Sequence, residues 1–225
     1  MIVACWSVKG GSGTTVVAAS LALVLARSSS DGVVLVDLGG DLPAVLGMPE
    51  PSGPGIVDWL AAGAAVPPDG LARLEVPVVP GLRLVPRGEG PVTGVTERLE
   101  VLASVLASDH RPVVVDAGLV PVNGDGGAAG ELARVFAASA TQSLLVTRGC
   151  YLAVRRAARA SVLPSGVVFV REKDRCLTAA DVGAALDVPI IAVVRQEAAI
   201  ARAVDAGLLT VRLPDGLAKS LRLAS

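Results

Sequence analysis

The chain has 225 residues, of which 52% are hydrophobic, and its formal net charge at pH 7 is −1. This length suits one α/β domain with a large core, so we expect a single domain over residues 1–225. The near-neutral charge excludes a global field that would attract nucleic acid or an anionic membrane. The longest apolar run, residues 16–26, is too short to cross a bilayer and predicts a buried helix. Met1 leads directly into a predicted strand, so we expect no signal peptide and a cytoplasmic protein.

The residues that most often bind metals or form disulfides are few and scattered. Cys5, Cys150 and Cys176 are far apart and form no C-x-x-C pair, so we expect buried thiols in a reducing compartment. His110 is the only histidine, which argues against a histidine-rich metal site and against a Ser-His-Asp triad. We expect it in a loop that precedes a strand.

A glycine-rich loop follows the first apolar run, residues 2–8. Its sequence is Lys9-Gly10-Gly11-Ser12-Gly13-Thr14-Thr15, and an apolar helix begins directly after it. Glycines allow positive φ and a close approach of the backbone, so successive amides and the helix N-terminus can hold a phosphate group. Thr15 is placed to bind Mg²⁺ through its hydroxyl. Thr14, however, occupies the position where the phosphate-binding motif has lysine, and Val8 replaces the first glycine of that motif.

Short apolar runs of strand type alternate with helical stretches along the chain. Beyond the first run, they cover residues 33–37, 82–85, 113–116, 143–147, 166–170 and 190–194. Continuous runs of valine, leucine and isoleucine are typical of strands buried on both faces. The alternation predicts a three-layer, doubly wound α/β sandwich with a mostly parallel sheet of seven to eight strands, which is the P-loop NTPase fold.

Between these strands we predict helices over residues 42–46, 55–62, 93–106 and 128–138, the last after a flexible stretch at 124–130. Trp59 and Leu60 are expected to fill core space. Glu97, Arg98 and Glu100 are expected on the solvated side of their helix.

Two predicted strands end in aspartate, at Asp37 and at Asp116. The carboxyl ends of parallel strands meet at one edge of a sheet, and carboxylates beside a phosphate-binding loop suit Mg²⁺, directly or through water. Asp41 allows two interpretations. We favour an N-cap of the short helix over residues 42–46, and the alternative is a carboxylate that reaches inward from a shifted loop.

The loop from Lys9 to Thr15 resembles the deviant Walker A loop of the ParA/MinD ATPases, K-G-G-x-G-K-[ST]-[ST]. Asp37, Asp116 and the final strand and helix follow in the order that this family shows, so the resemblance spans nearly the whole chain. It implies ATP with Mg²⁺ as cofactor and a homodimer in which Lys9 reaches the phosphates of the partner. It also implies that Lys9 and Asp37 take part in catalysis, with Mg²⁺ near Thr15, Asp37 and Asp116.

At three positions, this chain lacks the functional side chain that the family pattern has. Thr14 replaces the second lysine of the loop, and Gly39 stands where a second aspartate would activate water. No asparagine follows the strand over residues 166–170 to read the adenine edge. We therefore expect weak ATP binding, or none at all, and little or no hydrolysis.

Within the family, the degenerate loop and the phrase Gly40-Asp41-Leu42 resemble the CpaE/TadZ branch of pilus-assembly and localisation proteins. This implies a protein partner such as a pilus, secretion or polar assembly component. Two alternatives stay open: an active ATP-driven dimerisation switch in which Lys9 serves both lysine roles, and a nucleotide-free scaffold for protein contacts.

The sequence does not favour DNA or a membrane as partner. The candidate basic patch for DNA is Arg155, Arg156 and Arg159, and we interpret it as a solvated helix face. The C-terminal stretch, residues 213–223, is amphipathic but has two cations and no aromatic anchor. We expect it to form a helix that docks on the sheet.

Overall fold

The structure is a computed structural model that describes residues 1–63, 67–92, 95–122 and 126–222. The described chain contains one sheet of eight strands in the order β3-β4-β2-β5-β1-β6-β7-β8. The strands are β1 (Ile2–Ser7), β2 (Val33–Asp37), β3 (Val76–Val79), β4 (Leu82–Val85), β5 (Val113–Leu119), β6 (Gln142–Arg148), β7 (Gly166–Arg171) and β8 (Ile190–Arg195). The pair β3–β4 is antiparallel and the other neighbouring pairs are parallel.

Helices cover both faces of the sheet. They are α1 (Thr14–Ala26), α2 (Leu42–Leu46), α3 (Ile56–Ala61), α4 (Val95–Ser108), α5 (Gly127–Ser139), α6 (Tyr151–Ala157), α7 (Ala179–Leu186), α8 (Ala198–Asp205) and α9 (Asp215–Leu221). Helices α1, α2, α8 and α9 share one apolar core with the sheet, and α3 to α7 share a second core on the opposite face. The molecule therefore has three layers, as the sequence predicts.

The strands that carry the loop and the aspartates lie at the centre of the sheet. All six residues of β1 and all five of β2 are buried, which is why these runs are continuous rather than alternating. Helix α1 buries ten of its thirteen residues, so the apolar run after the loop is a buried helix, as expected. This burial fixes the glycine-rich loop between two buried elements.

The seven predicted runs correspond to β1, β2 and β4 to β8, and the sequence analysis missed β3. This strand contains Pro77 and pairs antiparallel with β4 at the edge of the sheet. Proline cannot donate a hydrogen bond to a neighbouring strand, so in sheets it occurs mainly on edge strands. Because proline usually argues against a strand, the sequence pattern did not predict this one.

Several side chains differ from expectation. Arg98 is only 8% exposed and its guanidinium lies 3.6 Å from the ring centroid of Trp59, so it does not belong to the solvated face. Cys176 is exposed and Cys150 is half-buried, so the prediction of buried thiols holds for Cys5. Trp59, Leu60, Glu100 and His110 lie as predicted, the first two buried and the last two exposed.

The C-terminal helix α9 docks against α1 and β8 through Leu217, Ala218 and Leu221, as predicted. The side chain of Glu97 and residues 93, 94, 123–125 and 223–225 lie outside the described part of the chain.

Candidate functional site

The loop from Lys9 to Gly13 joins the C-terminal end of β1 to the N-terminus of α1. Gly11 and Gly13 have φ of +75° and +88°, a conformation that a side chain would strain. The hydroxyl of Ser12 donates to the carbonyl of Lys9 at 2.7 Å and closes the loop on itself. Apart from the chain neighbours of each glycine, no described residue lies within 4 Å of the point where a Cβ would sit on Gly10, Gly11 or Gly13. The glycines therefore face open space, as a main-chain cradle for an anion requires.

The two predicted aspartates meet beside this loop. Asp37 is the last residue of β2 and Asp116 is the fourth residue of β5; the two are direct register partners, and both are fully buried. Asp116 is also the register partner of Cys5 on β1, the strand that leads into the loop. In the sheet order β2-β5-β1, Asp116 therefore lies one strand and Asp37 two strands away from the strand that leads into the cradle.

Asp37 has both carboxylate oxygens engaged by the loop that follows it. The amides of Gly39 and Gly40 donate to Oδ1 at 3.0 and 2.6 Å, and the amide of Leu42 donates to Oδ2 at 3.1 Å. Burial raises the pKa of Asp37, and these amides act in the opposite direction. Leu42 is the first residue of α2, so Asp37 caps this helix from five residues upstream.

Asp41 stands at the N-cap position of α2 but makes no capping hydrogen bond, and its side chain is exposed. The favoured prediction is therefore right that Asp41 occupies the N-cap position and wrong that its side chain caps the helix. The carboxylate that accepts from the first amide of α2 is that of Asp37. Asp41 raises the pKa of both Asp37 and Asp116 through charge repulsion, which places it near the pair.

Asp116 is only partly satisfied. The amide of Gly118 donates to Oδ1 at 3.1 Å, whereas Oδ2 is buried and has no hydrogen-bond partner among the described residues. Burial raises the pKa of Asp116 to about 7; the nearby hydroxyl of Thr15 opposes this shift and the charge of Asp37 adds to it. A buried carboxylate oxygen without a partner, beside a threonine hydroxyl, suits the water shell or the inner sphere of Mg²⁺. Thr15 and Asp116 therefore fit the metal that the sequence predicts.

The loop carries one lysine, Lys9, where the phosphate-binding motif that it resembles has two. Thr14 is 7% exposed at the start of α1, and it brings a hydroxyl where an ammonium group would face the phosphates. Lys9 is half-buried, and its charge helps to lower the pKa of Cys150 after the larger effect of the amides of Ala153 and Leu152. Lys9 thus lies near the start of α6, within reach of the same edge of the sheet as the cradle.

Beside the cradle lies a cavity of about 200 Å³ that the sequence analysis missed. Its wall begins at Ser12 and Gly13, continues along α1, and is completed by the ends of β7 and β8 and by α8 and α9. We call it the side cavity. Beyond the loop, its polar and charged residues are Arg148, Arg195, Gln196, Glu197 and Asp205. The available signal was position, because all of them except Asp205 directly follow or nearly follow a predicted strand and so belong to the same edge as the loop.

No protein-family model matches this chain, and no curated protein sequence matches it. Solved structures do. The ParA family ATPase of Chlorobium tepidum TLS superposes with a TM-score of 0.74 at 19% identity, over 98% of this chain and 96% of the other. MinD of Pyrococcus horikoshii OT3 in complex with Mg-ADP gives 0.76 at 20%, over 99% and 93%. The MinC:MinD cell division protein complex of Aquifex aeolicus gives 0.72 at 18%, over 98% and 93%.

The chain has the ParA/MinD fold. The coverage means that this fold accounts for nearly all of both chains rather than for a shared core. In this chain the ParA/MinD fold places Lys9, Thr15, Asp37 and Asp116 at one edge of the sheet, with Thr14 and Gly39 among them.

The surfaces considered for other partners can also be located. Arg155 and Arg156 are exposed on α6, and Arg159 is exposed just beyond its end. In the described chain, no helix combines the length and the hydrophobicity needed to cross a membrane.

Proposed function

We propose that this protein belongs to the ParA/MinD ATPases and acts as a cytoplasmic homodimeric positioning factor that recruits a protein partner. We infer that it binds ATP and Mg²⁺ weakly and hydrolyses ATP slowly or not at all. We place it nearest the CpaE/TadZ branch, with a pilus, secretion or polar assembly component as partner. The relatives in fold support the two halves of this proposal, since one holds Mg-ADP and another is in complex with MinC.

The observation that carries the proposal is a main-chain cradle without its cation. Gly11 and Gly13 keep the left-handed backbone of a phosphate-binding loop, and Asp116 keeps an unpartnered carboxylate oxygen beside Thr15. Amide groups and Mg²⁺ can still attract a polyphosphate. Thr14 adds no charge, and hydrogen bonds to charged groups are worth about 1.5–3 kcal/mol. Binding should therefore be about tenfold to a hundredfold weaker than in a loop with lysine at that position.

Two further features support slow hydrolysis. Gly39 offers no carboxylate to orient water, and Asp37 has both of its oxygens engaged by backbone amides. A general base must reach the proton that it accepts, and a carboxylate held by three amides is poorly placed to do so. Asp41 is the exposed carboxylate that remains nearby.

A specific observation favours one alternative, the active switch. Lys9 is half-buried near the start of α6, at the same edge of the sheet as the cradle. If Lys9 supplied the missing charge, either to its own loop or to that of a partner copy, ATP would be bound tightly and would drive dimerisation. The nucleotide-free scaffold remains the second alternative.

The deciding experiment is a titration of the purified protein with ATP by calorimetry, with Mg²⁺ and with EDTA, beside Lys9→Ala. Weak binding that needs Mg²⁺, and turnover near background, would support the proposal. Tight Mg²⁺-dependent binding with turnover that Lys9→Ala abolishes would establish the switch, and absence of binding would establish the scaffold. Imaging a tagged copy tests the cellular role, because diffuse fluorescence that is insensitive to loss of partner genes contradicts a positioning factor.

A further inference from the structure

Two of the three cysteines lie on neighbouring loops, at the same edge of the sheet as the cradle. Cys150 stands between β6 and α6, and Cys176 stands between β7 and α7. Strands β6 and β7 are parallel neighbours, so the loops that leave their carboxyl ends lie side by side. The fold therefore brings together two thiols that are distant in sequence.

The two loops are in direct contact one residue away from each cysteine. A Cβ on Gly149 would lie 2.6 Å from the carbonyl oxygen of Leu177 and 3.5 Å from the Cβ of Arg175. Gly149 directly precedes Cys150 in the chain. Arg175 and Leu177 are the chain neighbours of Cys176. Because Gly149 has no side chain, the backbone beside one cysteine can pack against the backbone beside the other.

An ion-pair network holds the ends of the two strands together. Nη1 of Arg148, the last residue of β6, donates to Oε1 of Glu172 at 2.8 Å. Glu172 directly follows β7, and its Oε2 accepts from Nε of Arg175 at 3.0 Å. Arg175 directly precedes Cys176 in the chain. The contact between the two loops is therefore supported from the strand ends as well.

Cys150 is the thiol of this pair that forms a thiolate more readily than usual. The amide of Ala153 is the largest cause that lowers the pKa of the Cys150 thiol. The charges of Lys9 and Arg175 act in the same direction. The thiolate is the form of cysteine that reacts with an oxidant. Since Cys150 is half-buried and Cys176 is exposed, reagents in water can reach both.

Cys5 differs from this pair in both respects. It is fully buried within β1, and burial raises the pKa of its thiol. A buried thiol in apolar surroundings is inert toward oxidants in water. The reactive thiols of the folded chain are therefore Cys150 and Cys176.

We propose that Cys150 and Cys176 form a reversible intramolecular disulfide in response to a hydroperoxide. A bridge requires Cα atoms within about 7 Å of each other. Residues 172–178, which join β7 to α7, belong to no helix or strand, so Cys176 can adjust to this distance. Where a compartment is reducing, disulfides that do form are mostly transient and redox-sensing. The proposal does not rest on the proposed function, because no step uses a nucleotide.

The reaction has two steps. The thiolate of Cys150 attacks one oxygen of hydrogen peroxide, so the O–O bond breaks, a sulfenic acid forms and hydroxide leaves. The sulfur of Cys176 then attacks the sulfenic sulfur. The S–S bond forms as the S–O bond breaks, and the hydroxyl group leaves as water with the thiol proton of Cys176. The two sulfurs give up two electrons and the peroxide accepts them, and a thiol reductant reverses the change by exchange.

The test treats the intact, reduced chain with hydrogen peroxide, alkylates the remaining thiols in urea and maps tryptic peptides by mass spectrometry without reduction. Trypsin releases Cys150 in residues 149–155 and Cys176 in residues 176–195. We expect one linked product, lighter by two hydrogen atoms than the two free peptides, and its loss on treatment with dithiothreitol. Cys5 should be fully alkylated.

Two variants separate the roles of the two thiols. Cys176→Ser should stop the reaction at the sulfenic acid of Cys150, which a 1,3-diketone probe traps. Cys150→Ser should leave Cys176 fully alkylated at the same dose of peroxide. The control is wild-type chain held in urea during the peroxide step, because the contact between the loops is then lost and links to Cys5 should appear.

Several outcomes overturn the proposal. One is full alkylation of both Cys150 and Cys176 after a dose of peroxide that oxidises glutathione. Another is a bridge found only between two chains, seen as a dimer on a gel without reductant. Equal yields of the linked product from folded and unfolded chain would show that the fold does not create the site. A diketone adduct on Cys176 instead of Cys150 would overturn the order of the two steps.

Discussion

Asp37 on β2 and Asp116 on β5 lie side by side in the sheet but differ in their hydrogen bonds. At the end of β2, Asp37 accepts hydrogen bonds from three backbone amides that follow it in the chain. Within β5, Asp116 accepts from one amide and keeps a buried oxygen without a partner in the described structure. The two carboxylates are equally buried and direct register partners, so position in the sheet does not explain the difference.

The difference lies in the residues that follow the two aspartates. After Asp37 the chain turns through Gly39 and Gly40 so that its amides donate back to Asp37, and the strand end is closed on itself. After Asp116, β5 continues through Gly118 to Leu119 and remains paired with β1, so only the amide of Gly118 turns to the carboxylate, and the Thr15 hydroxyl lies nearby. A buried polar atom without a partner in a native structure indicates an ion, a water or a function. The carboxylate of Asp37 is thus saturated by its own loop, whereas Asp116 keeps an oxygen available to a ligand. We call the surroundings of Asp37 the closed end and those of Asp116 the open end.

The largest expected effect concerns the closed end. Asp37→Ala removes the acceptor for three amides and the cap of α2. The amide of Leu42 is buried, and an unsatisfied buried donor costs about 1–3 kcal/mol, whereas water can reach the amides of exposed Gly39 and half-buried Gly40. We expect the free energy of unfolding at pH 7 to fall by about 3 kcal/mol, measured by urea denaturation. Asp116→Ala should cost clearly less, since it removes one such bond. Equal losses for the two variants would contradict the contrast between the two strand ends.

The sequence predicted well which strands and loops form this site, but it predicted poorly which side chains form its hydrogen bonds. Strand runs that end in Asp37 and Asp116, and a glycine loop before an apolar helix, are local patterns, so they could be read in chain order and then placed at one edge by the rules for parallel sheets. The sequence could not show that Asp37, rather than Asp41, accepts the hydrogen bond at the start of α2. Both residues can cap this helix, and only the backbone turn at Gly39 and Gly40 decides which one does.

The side cavity was missed for a similar reason. Its members come from the glycine-rich loop and from six helices and strands, and its polar residues Arg148 and Glu197 are far apart in sequence. Arg98 was misplaced because helical periodicity does not reveal that the ring of Trp59 covers it from another helix. Contacts of this kind depend on tertiary packing, which single-sequence patterns do not encode.

A second prediction restores the lost charge on the open side. Thr14→Lys places an ammonium beside the cradle, and a charged hydrogen bond contributes about 1.5–3 kcal/mol. Nucleotide affinity with Mg²⁺ should therefore rise by about tenfold to a hundredfold, measured by calorimetry. Thr14→Gln has a long polar side chain without the charge and is the matched control. If both variants improve binding equally, or if neither does, the missing cation is not the cause of weak binding.

The pH dependence of stability follows from the open end as well. The folded pKa of Asp116 is about 7 and its unfolded value is close to 4, so between these values the folded state holds the extra proton. Stability should consequently be greatest near pH 4 and fall as the pH rises toward 7, by up to about 1.4 kcal/mol per pH unit. Asp37, whose pKa burial also raises, contributes in the same direction.

Urea denaturation in EDTA between pH 4.5 and 8 would measure this slope. Asp116→Asn should flatten it without abolishing it, because the contribution of Asp37 remains. Saturating Mg²⁺ should flatten the wild-type slope, since the cation favours the deprotonated carboxylate. A wild type whose stability rises over this range would show that Asp116 is not held with a raised pKa in the absence of metal.

The smallest expected effect belongs to Asp41, and it tests how completely Asp37 has taken over the cap. An N-cap aspartate replaced by alanine usually costs about 1 kcal/mol. Asp41 makes no capping bond and is exposed, so Asp41→Ala should change the free energy of unfolding by less than about 0.5 kcal/mol. Its removal also relieves the repulsion that raises the pKa of Asp37 and Asp116, which opposes any loss. A loss of about 1 kcal/mol would mean that Asp41 and Asp37 both cap α2. A loss of Mg²⁺-dependent nucleotide binding without a loss of stability would mean that Asp41 acts with Asp116 at the ligand site.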